Sequence, residues 1–433
     1  MTEKINIPRY TSYPTAPHFH EGIGASEYKA WLGELSDKQA LSLYFHIPYC
    51  RQLCWFCGCH TKVVNKYESI KNYMGYLSME VEIASRELPN SAVTHIHFGG
   101  GSPTVIEVDD FARFADLLKD KFIISDKAEI AVEMDPRTTD AKKIKAYAKS
   151  GVTRASIGVQ DFDSKVQEAI NRIQPYEMVL GVVEELYNNG IKDLNVDLVY
   201  GLPHQTIKTI DETINKALLL QPSRISLFGY AHVPWMKKHQ NLLPEESLPN
   251  SKKRLEMFEF ASSAIENAGY VAVGLDHFAK PDDSLVESLN NKTIKRNFQG
   301  YTIDDAEALV GFGVSSISSL PQGYAQNNPD IVGYVSSIKA GKLPIVRGIK
   351  LTDDDIERRD IIMSLMSNME AYVPEGRYSQ ELTMLKKYIE EGDVTYEKGR
   401  IKVKEVARSR LRLIASIFDA YLHETEHRYS QAV

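Results

Sequence analysis

LSLYFHIPYCRQLCWFCGCH, residues 41–60, joins a short apolar segment to a tight group of cysteines. The apolar part is too short for a helix and reads as a buried strand. It runs directly into Cys50, Cys54, Cys57 and Cys59, the only cysteines in the chain. Working outward, five further segments have the same strand character: THIHFGG from Thr94, EIAVEMD from Glu129, RASIGVQ from Arg154, LNVDLVYG from Leu194 and RISLFGYAH from Arg224. Helical patterns lie between them. Ile70, Met74, Leu77 and Val81 share one helix face, and a second helix is predicted after Thr206 as N-cap, with Ile207, Ile210, Ile214 and Leu218 repeating along it. Alternating strands and helices imply right-handed crossovers and parallel pairing. The expected fold is therefore α/β, a partial or complete (β/α) barrel of about six parallel strands with its chemistry at the C-terminal strand ends.

The rest of the 433 residues divides around that barrel. Residues 1–40 are expected to form an N-terminal extension, 41–280 the barrel, and 281–349 a connector that completes the active site. Residues 350–433 are expected to form a smaller, mostly helical, winged-helix-like C-terminal domain. Its predicted parts are a helix over 356–366, a hairpin VTYEKGRIKV turning at Lys398-Gly399, and a last helix through Leu411, Ile414, Ile417, Phe418 and Leu422.

The CxxxCxxC spacing of Cys50, Cys54 and Cys57 suits three irons of a cubane cluster, because thiolates on one loop can wrap it. A three-ligand cluster leaves one iron open. That iron can chelate the amino and carboxyl groups of S-adenosylmethionine, whose reductive cleavage releases a 5′-deoxyadenosyl radical. Counting Cys59 as a ligand would fill the open iron, so it is assigned a catalytic, non-ligand role. The alternative for the four thiols is a zinc site, against which stands their crowding into ten residues. GGGSPT, Gly99 to Thr104, puts side-chain-free backbone at a strand end, where it can approach a ligand. Glu133, Gln160, Arg172 and Asp197 fall at or soon after strand ends, where barrel enzymes place ligand-contacting groups.

Composition narrows the functional class. Hydrophobic residues make up 43% and charged residues 25%, with no repeats or low-complexity tracts. The net charge of 51 − 58 = −7, with dispersed basic residues, argues against a nucleic-acid-binding face. No secretory signal or membrane-spanning run is read, so a cytoplasmic protein without membrane association is expected. Small-molecule chemistry follows.

The chain resembles the oxygen-independent coproporphyrinogen III oxidases, radical S-adenosylmethionine enzymes of haem biosynthesis. The likeness runs through PRYTSYPTA, LYFHIPYCRQLCWFCGCH, FGGGSPT, EMDPR, SIGVQDF, NVDLVYGLP, GYAHVP, HFAKPDD, RNFQGYT and GYAQN. It implies a [4Fe-4S] cluster on Cys50, Cys54 and Cys57. It also implies two S-adenosylmethionine molecules, one on Tyr44, Gly100, Glu133 and Ile317 and one on Phe56, Gly101, Ser102, Gln160, Arg172, Asp197 and Ala231. Ser102 stands where threonine is familiar. The implied reaction converts two propionates of coproporphyrinogen III to vinyl groups. A hydrogen atom is removed beta to each carboxylate, then carbon dioxide and one electron are lost. An electron donor to the cluster and an electron acceptor are implied as partners, and a monomer is expected. Arg296, Lys280 and His277 are candidate substrate contacts. The alternative within this resemblance is a haem-binding or haem-transfer protein without oxidase activity.

Overall fold

The six apolar segments form strands β1 (Leu41–Ile47), β2 (Ala92–Gly100), β3 (Ile123–Met134), β4 (Arg154–Gln160), β5 (Asp193–Tyr200) and β6 (Arg224–Gly229) in a computed structural model that describes residues 7–374 and 376–422. Each pairs in parallel with the next. The crossovers contain helices Tyr67–Ser85, Val108–Lys121, Ala141–Ser150, Tyr176–Asn188 and Ile207–Leu219. Ile70, Met74, Leu77 and Val81 are all buried, as their spacing requires. Thr206 caps the helix it precedes by accepting from the Thr209 amide. Ile210 and Ile214 face the core there, while Ile207 is 37% exposed, so that apolar stripe is narrower than predicted.

Strand periodicity separates the two faces of the sheet. Leu43, Phe45, Ile96, Phe98, Val132, Ile157, Val196 and Ile225 pack with the helices in one continuous core. Alternate residues, among them His97, Glu133, Ser156, Asp197 and Ser226, line the concave inner face. The inside is therefore polar, and the apolar core lies between strands and helices.

The sheet extends beyond the six strands. Beside β6 lie antiparallel β8 (His277–Ala279) and β7 (Val271–Val273). Beside β1 lies parallel β9 (Ala308–Phe312), followed by antiparallel β10 (Ile317–Leu320), β11 (Gly323–Asn327) and β12 (Ile345–Lys350). The twelve strands run β12-β11-β10-β9-β1-β2-β3-β4-β5-β6-β8-β7, an open partial barrel. The stretch expected to be a connector thus contributes four strands to the sheet.

Residues from 353 onward build helices Asp353–Asn368 and Ser379–Glu390 and a three-stranded antiparallel sheet of Glu370–Tyr372, Arg400–Val403 and Val394–Glu397. The hairpin turns where predicted, with Lys398 at φ 48° and Gly399 at φ 75°, the left-handed pair of a two-residue turn. The last predicted helix is shorter than expected. Only Leu411–Ala415 is α-helical, Ser416–Phe418 is 3-10, and Leu422 lies in a turn. Leu411, Ile414, Ile417 and Phe418 are nevertheless buried in one cluster with Ile7, Tyr10 and Tyr13 from the N-terminal segment. Among the described residues no helix is long and apolar enough to cross a membrane.

Candidate active site

The cysteine loop leaves β1 at Pro48 and is pinned at both ends. The Lys62 amide donates to Pro48 O at 2.7 Å and the Val64 amide to Cys50 O at 3.1 Å. From the neighbouring strand end, the amides of Gly101 and Ser102 donate to Ile47 O and Tyr49 O. Its far side rests on the segment after β4, where the Trp55 amide donates to Ile170 O and Asn171 Nδ2 to Leu53 O.

The thiols differ in their surroundings. Cys50 Sγ accepts from Thr61 Oγ1 at 3.2 Å, and Cys54 Sγ from Arg137 Nη2 at 3.3 Å and Arg172 Nη1 at 3.5 Å. Cys57 Sγ accepts from the Cys59 amide at 3.4 Å. The Cys59 thiol also donates to Cys57, which with nearby His239 and Lys237 pulls Cys57 down to about 6 despite burial. That same hydrogen bond, with burial, pushes Cys59 well above its usual value. Burial raises Cys50 to about 11. Cys59 faces the open cavity, whereas Cys54 is buried. Three sulfurs are thus set as hydrogen-bond acceptors and the fourth as a donor.

These donors suit an iron–sulfur cluster, since N–H and O–H bonds to thiolate sulfur tune such groups. Among the described residues no three His, Cys, Asp or Glu side chains converge on one ion position. A cubane spreads its thiolates around a larger body.

Next to the loop is a cavity of about 360 Å³. Its wall includes Cys50, Cys54, Cys57, Cys59, Phe56, Gly100, Gly101, Ser102, Glu133, Gln160, Arg172, Asp197 and Ala231. It shares Glu133, Ser156, Asp197 and Phe228 with a second, deeper space of about 260 Å³ on the concave face. Tyr44 and Ile317 are outside this lining. Tyr44 sits one layer back, its hydroxyl 3.1 Å from His46 Nδ1 and its ring stacked 5.8 Å from His97. Ile317 packs beside Phe19 and Tyr324 on β10.

The glycines make room. A Cβ on Gly99 would lie 2.6 Å from Glu133 Oε1, one on Gly100 2.5 Å from His46, and one on Gly101 2.6 Å from Thr61 Oγ1. Gly100 also adopts φ 111°, which favours glycine. Its amide donates to Glu133 Oε2 at 3.0 Å, while His97 Nε2 lies 3.1 Å from Glu133 Oε1. Ser102 is buried, and its hydroxyl is 2.9 Å from that of Thr104. Gln160 ends β4 at φ 66°, an uncommon conformation that turns its side chain over the cavity. Asp197 accepts from Ser156 and Asn195, yet burial and the nearby Glu133 charge raise it above the usual carboxylate range.

Sequence reasoning missed a further layer. Asp135 pairs with Arg137 at 2.7 Å and Arg172 at 3.2 Å. Burial alone would raise its pKa, but the two guanidiniums outweigh it and hold Asp135 at about 2. This ion pair aims both arginines at Cys54. EMDPR contains two of the three residues; their convergence with Arg172 depends on the sheet. Thr61, His239 and Lys237 were missed too, the last two donating to loop carbonyls. Of the substrate candidates, His277 lines the deeper space. Arg296 lies 3.8 Å from Asp276. Lys280 lies at the N-terminal end of β6, its ammonium donating to Gln221 O and its amide to Ser223 O.

Residues 44–217 match the model of the radical SAM superfamily. The oxygen-independent coproporphyrinogen III oxidase of Bradyrhizobium diazoefficiens is 44% identical, with 99% of this chain and 97% of that protein covered. The Paracoccus denitrificans protein of the same name is 39% identical over 96% of this chain and 94% of its own length. The chain belongs to the oxygen-independent coproporphyrinogen III oxidase family. The solved structure of coproporphyrinogen III oxidase (HemN) from Escherichia coli, described as a radical SAM enzyme, superposes with a TM-score of 0.92. It is 33% identical and covers 96% of this chain and 98% of that one. The radical SAM family implies a [4Fe-4S] cluster and S-adenosylmethionine.

Proposed function

We propose that the chain oxidises coproporphyrinogen III to protoporphyrinogen IX without oxygen, in haem biosynthesis. The observation that supports this most is the joining of the cysteine loop, the Gly100–Gly101 backbone and the carboxylates of Glu133 and Asp197 on one cavity, in a chain similar to the oxidases along nearly its whole length. The cluster and S-adenosylmethionine supply, when bound, an electron-driven carbon–sulfur cleavage that yields a hydrogen-abstracting radical.

The chain's own groups hold and aim. Cys50, Cys54 and Cys57 ligate, and Thr61, Arg137 and Arg172 donate to the sulfurs. The open backbone at Gly100 and the Glu133 carboxylate receive the methionine end of the first S-adenosylmethionine. Tyr44 supports this indirectly, through its stack on His97. Ile317 contact belongs to the same proposal. A second S-adenosylmethionine is assigned to Phe56, Gly101, Ser102, Gln160, Arg172, Asp197 and Ala231. Arg172 retains a buried Nε without a hydrogen-bond partner, which fits an anionic group arriving there. Cys59 remains a protonated thiol at the cavity, a catalytic rather than a ligating group. An external electron donor, an electron acceptor, and action as a monomer complete the proposal.

The test is anaerobic incubation of the reconstituted protein with reductant, S-adenosylmethionine and coproporphyrinogen III. Protoporphyrinogen IX is the expected product. An intact cluster with no product and stoichiometric haem binding would replace oxidase by haem carrier.

A further inference from the structure

Behind Gly229 the main cavity meets a smaller chamber of about 40 Å³. Arg9 and Gly229 belong to the walls of both. Four guanidiniums border the chamber, from Arg9, Arg254, Arg296 and Arg412. They come from four distant parts of the chain: the N-terminal segment, helix Ser251–Asn267, the hairpin strand Lys295–Asn297, and helix Leu411–Ala415. One carboxylate, Asp276, faces them from the same wall, and its charge is shared with His277 at 2.8 Å.

The imbalance is large for a buried place. The Arg296 side chain is 6% exposed and Arg412 is 7% exposed. Arg9 is exposed and stands at the mouth of the chamber, on the wall shared with the main cavity, where it donates to Gly229 O at 2.7 Å. Arg412 is tied to the backbone carbonyls of Ile7 and Pro8. Arg254 Nε and Arg296 Nε and Nη1 are buried with no hydrogen-bond partner. Arg254 and Arg296 instead lie over the rings of Tyr200 and Tyr301. Buried donors without partners and like charges at close range both cost stability, so such an arrangement persists where an anion completes it.

We propose that this four-arginine chamber binds a carboxylate, and that the carboxylate is one propionate arm of the tetrapyrrole substrate. The ligand rests on the function proposed above; the anion site rests on the geometry alone. The chamber holds on the order of three water-sized spheres, the scale of one carboxylate group and too small for a ring. Guanidiniums match carboxylates in planar, paired hydrogen bonds. A macrocycle at the open side of the main cavity, beside the cofactors, can reach past Gly229 with one flexible arm. That anchors the ring at a fixed distance from the cysteine loop and orients another arm toward it. The methionine carboxylate of S-adenosylmethionine has the same chemistry, so the test must separate the two sources.

The test uses full-length, reconstituted protein with Arg254→Gln and Arg296→Gln. Binding of coproporphyrin III, of its tetramethyl ester, and of S-adenosylmethionine is titrated for each. Loss of a charge-assisted contact should weaken coproporphyrin about tenfold in each variant, leaving the ester and S-adenosylmethionine unchanged. KM for coproporphyrinogen should rise more than kcat falls. Because Arg254→Gln relieves repulsion in the ligand-free protein, its Tm should equal or exceed that of the wild type. Coproporphyrin affinity within twofold of wild type in both variants would overturn the proposal while leaving the oxidase function standing. Weakened S-adenosylmethionine binding with unchanged coproporphyrin binding would overturn it by assigning the chamber to the cofactor. A Tm well below wild type in Arg254→Gln would make that guanidinium a structural tie and overturn it as well. Wild-type protein that neither binds coproporphyrin nor converts coproporphyrinogen would remove the function first, and the assigned ligand with it.

Discussion

At the scale of single residues, the four thiols are told apart by what they exchange hydrogen bonds with. Cys57 accepts from the Cys59 amide and thiol, whereas Cys59 faces the cavity as a donor. Cys59→Ser should therefore assemble a four-iron cluster and bind S-adenosylmethionine, while Cys57→Ser should lose the cluster. Iron and sulfide content of the two variants checks this, and equal loss would make Cys59 a ligand. Asp135 gives a pH-dependent counterpart. Its carboxyl is held at about 2, below the ordinary 3.8, so its contribution is fully present above 3.8 and is lost as pH falls through 2. A shift of that size corresponds to about 2 kcal/mol. Asp135→Asn should cost about that much at pH 7 and progressively less from pH 4 to pH 2, measured by denaturant unfolding. A cost independent of pH would show that the ion pair is not its source.

At the scale of elements, the legible parts were those whose apolar residues recur with one clear period. β1 and β4 begin and end as read, because both of their ends carry a strong break, and the Tyr67–Ser85 helix keeps its whole stripe buried. β3 starts six residues before the reading, at Ile123, through the polar stretch SDKA that no pattern marks as strand. β9 to β11 were missed because short runs such as ISSL and GYAQN have no helices between them to establish an alternation, and β12, which follows the helix Ile331–Lys339, was missed with them. The site was legible where a residue's place depends on a strand end, as for Glu133, whereas Asp197 stands inside β5 and reaches the cavity from its inward face. The site was illegible where side chains meet across the sheet, as for Asp135 with Arg172. Gly101 joins the two kinds of information. Its amide ties the β2 end to Ile47 O, and an added Cβ would lie 2.7 Å from Tyr49 O and 2.9 Å from Ile47 O, both backbone atoms. Gly101→Ala must push the cysteine loop away from the strand end. We expect a loss of about 1–3 kcal/mol and reduced iron retention, read by unfolding and iron content. Normal retention would mean that the loop is positioned by its other contacts alone.

At the scale of the whole molecule, the N-terminal segment joins the barrel to the helices and small sheet that follow residue 353. Tyr10 and Tyr13 are fully buried beside Leu411, Ile414 and Phe418, and Arg9 reaches back to Gly229 at the end of β6. The sequence marked this segment only by its family likeness, since a short run such as PRYTSYP has no helical or strand period. Tyr10 tests how much the junction depends on it. Its hydroxyl donates to Asp419 at 2.9 Å, and both burial and the Asp419 charge raise its pKa, so it stays protonated as a donor throughout the physiological range. Tyr10→Phe keeps the ring and leaves one buried carboxylate oxygen without this donor, at a cost of about 1–3 kcal/mol. Tyr10→Ala also empties the ring's place in the cluster and should cost about 3–5 kcal/mol. The second variant should become susceptible to proteolysis in residues 353–422 before the barrel does, because the cavity lies in their cluster and not in the main core. Limited proteolysis with fragment mapping checks the order. Simultaneous cleavage of both regions would mean that the N-terminal segment couples them into one cooperative unit, and that the loss at Tyr10 is felt as far as β6.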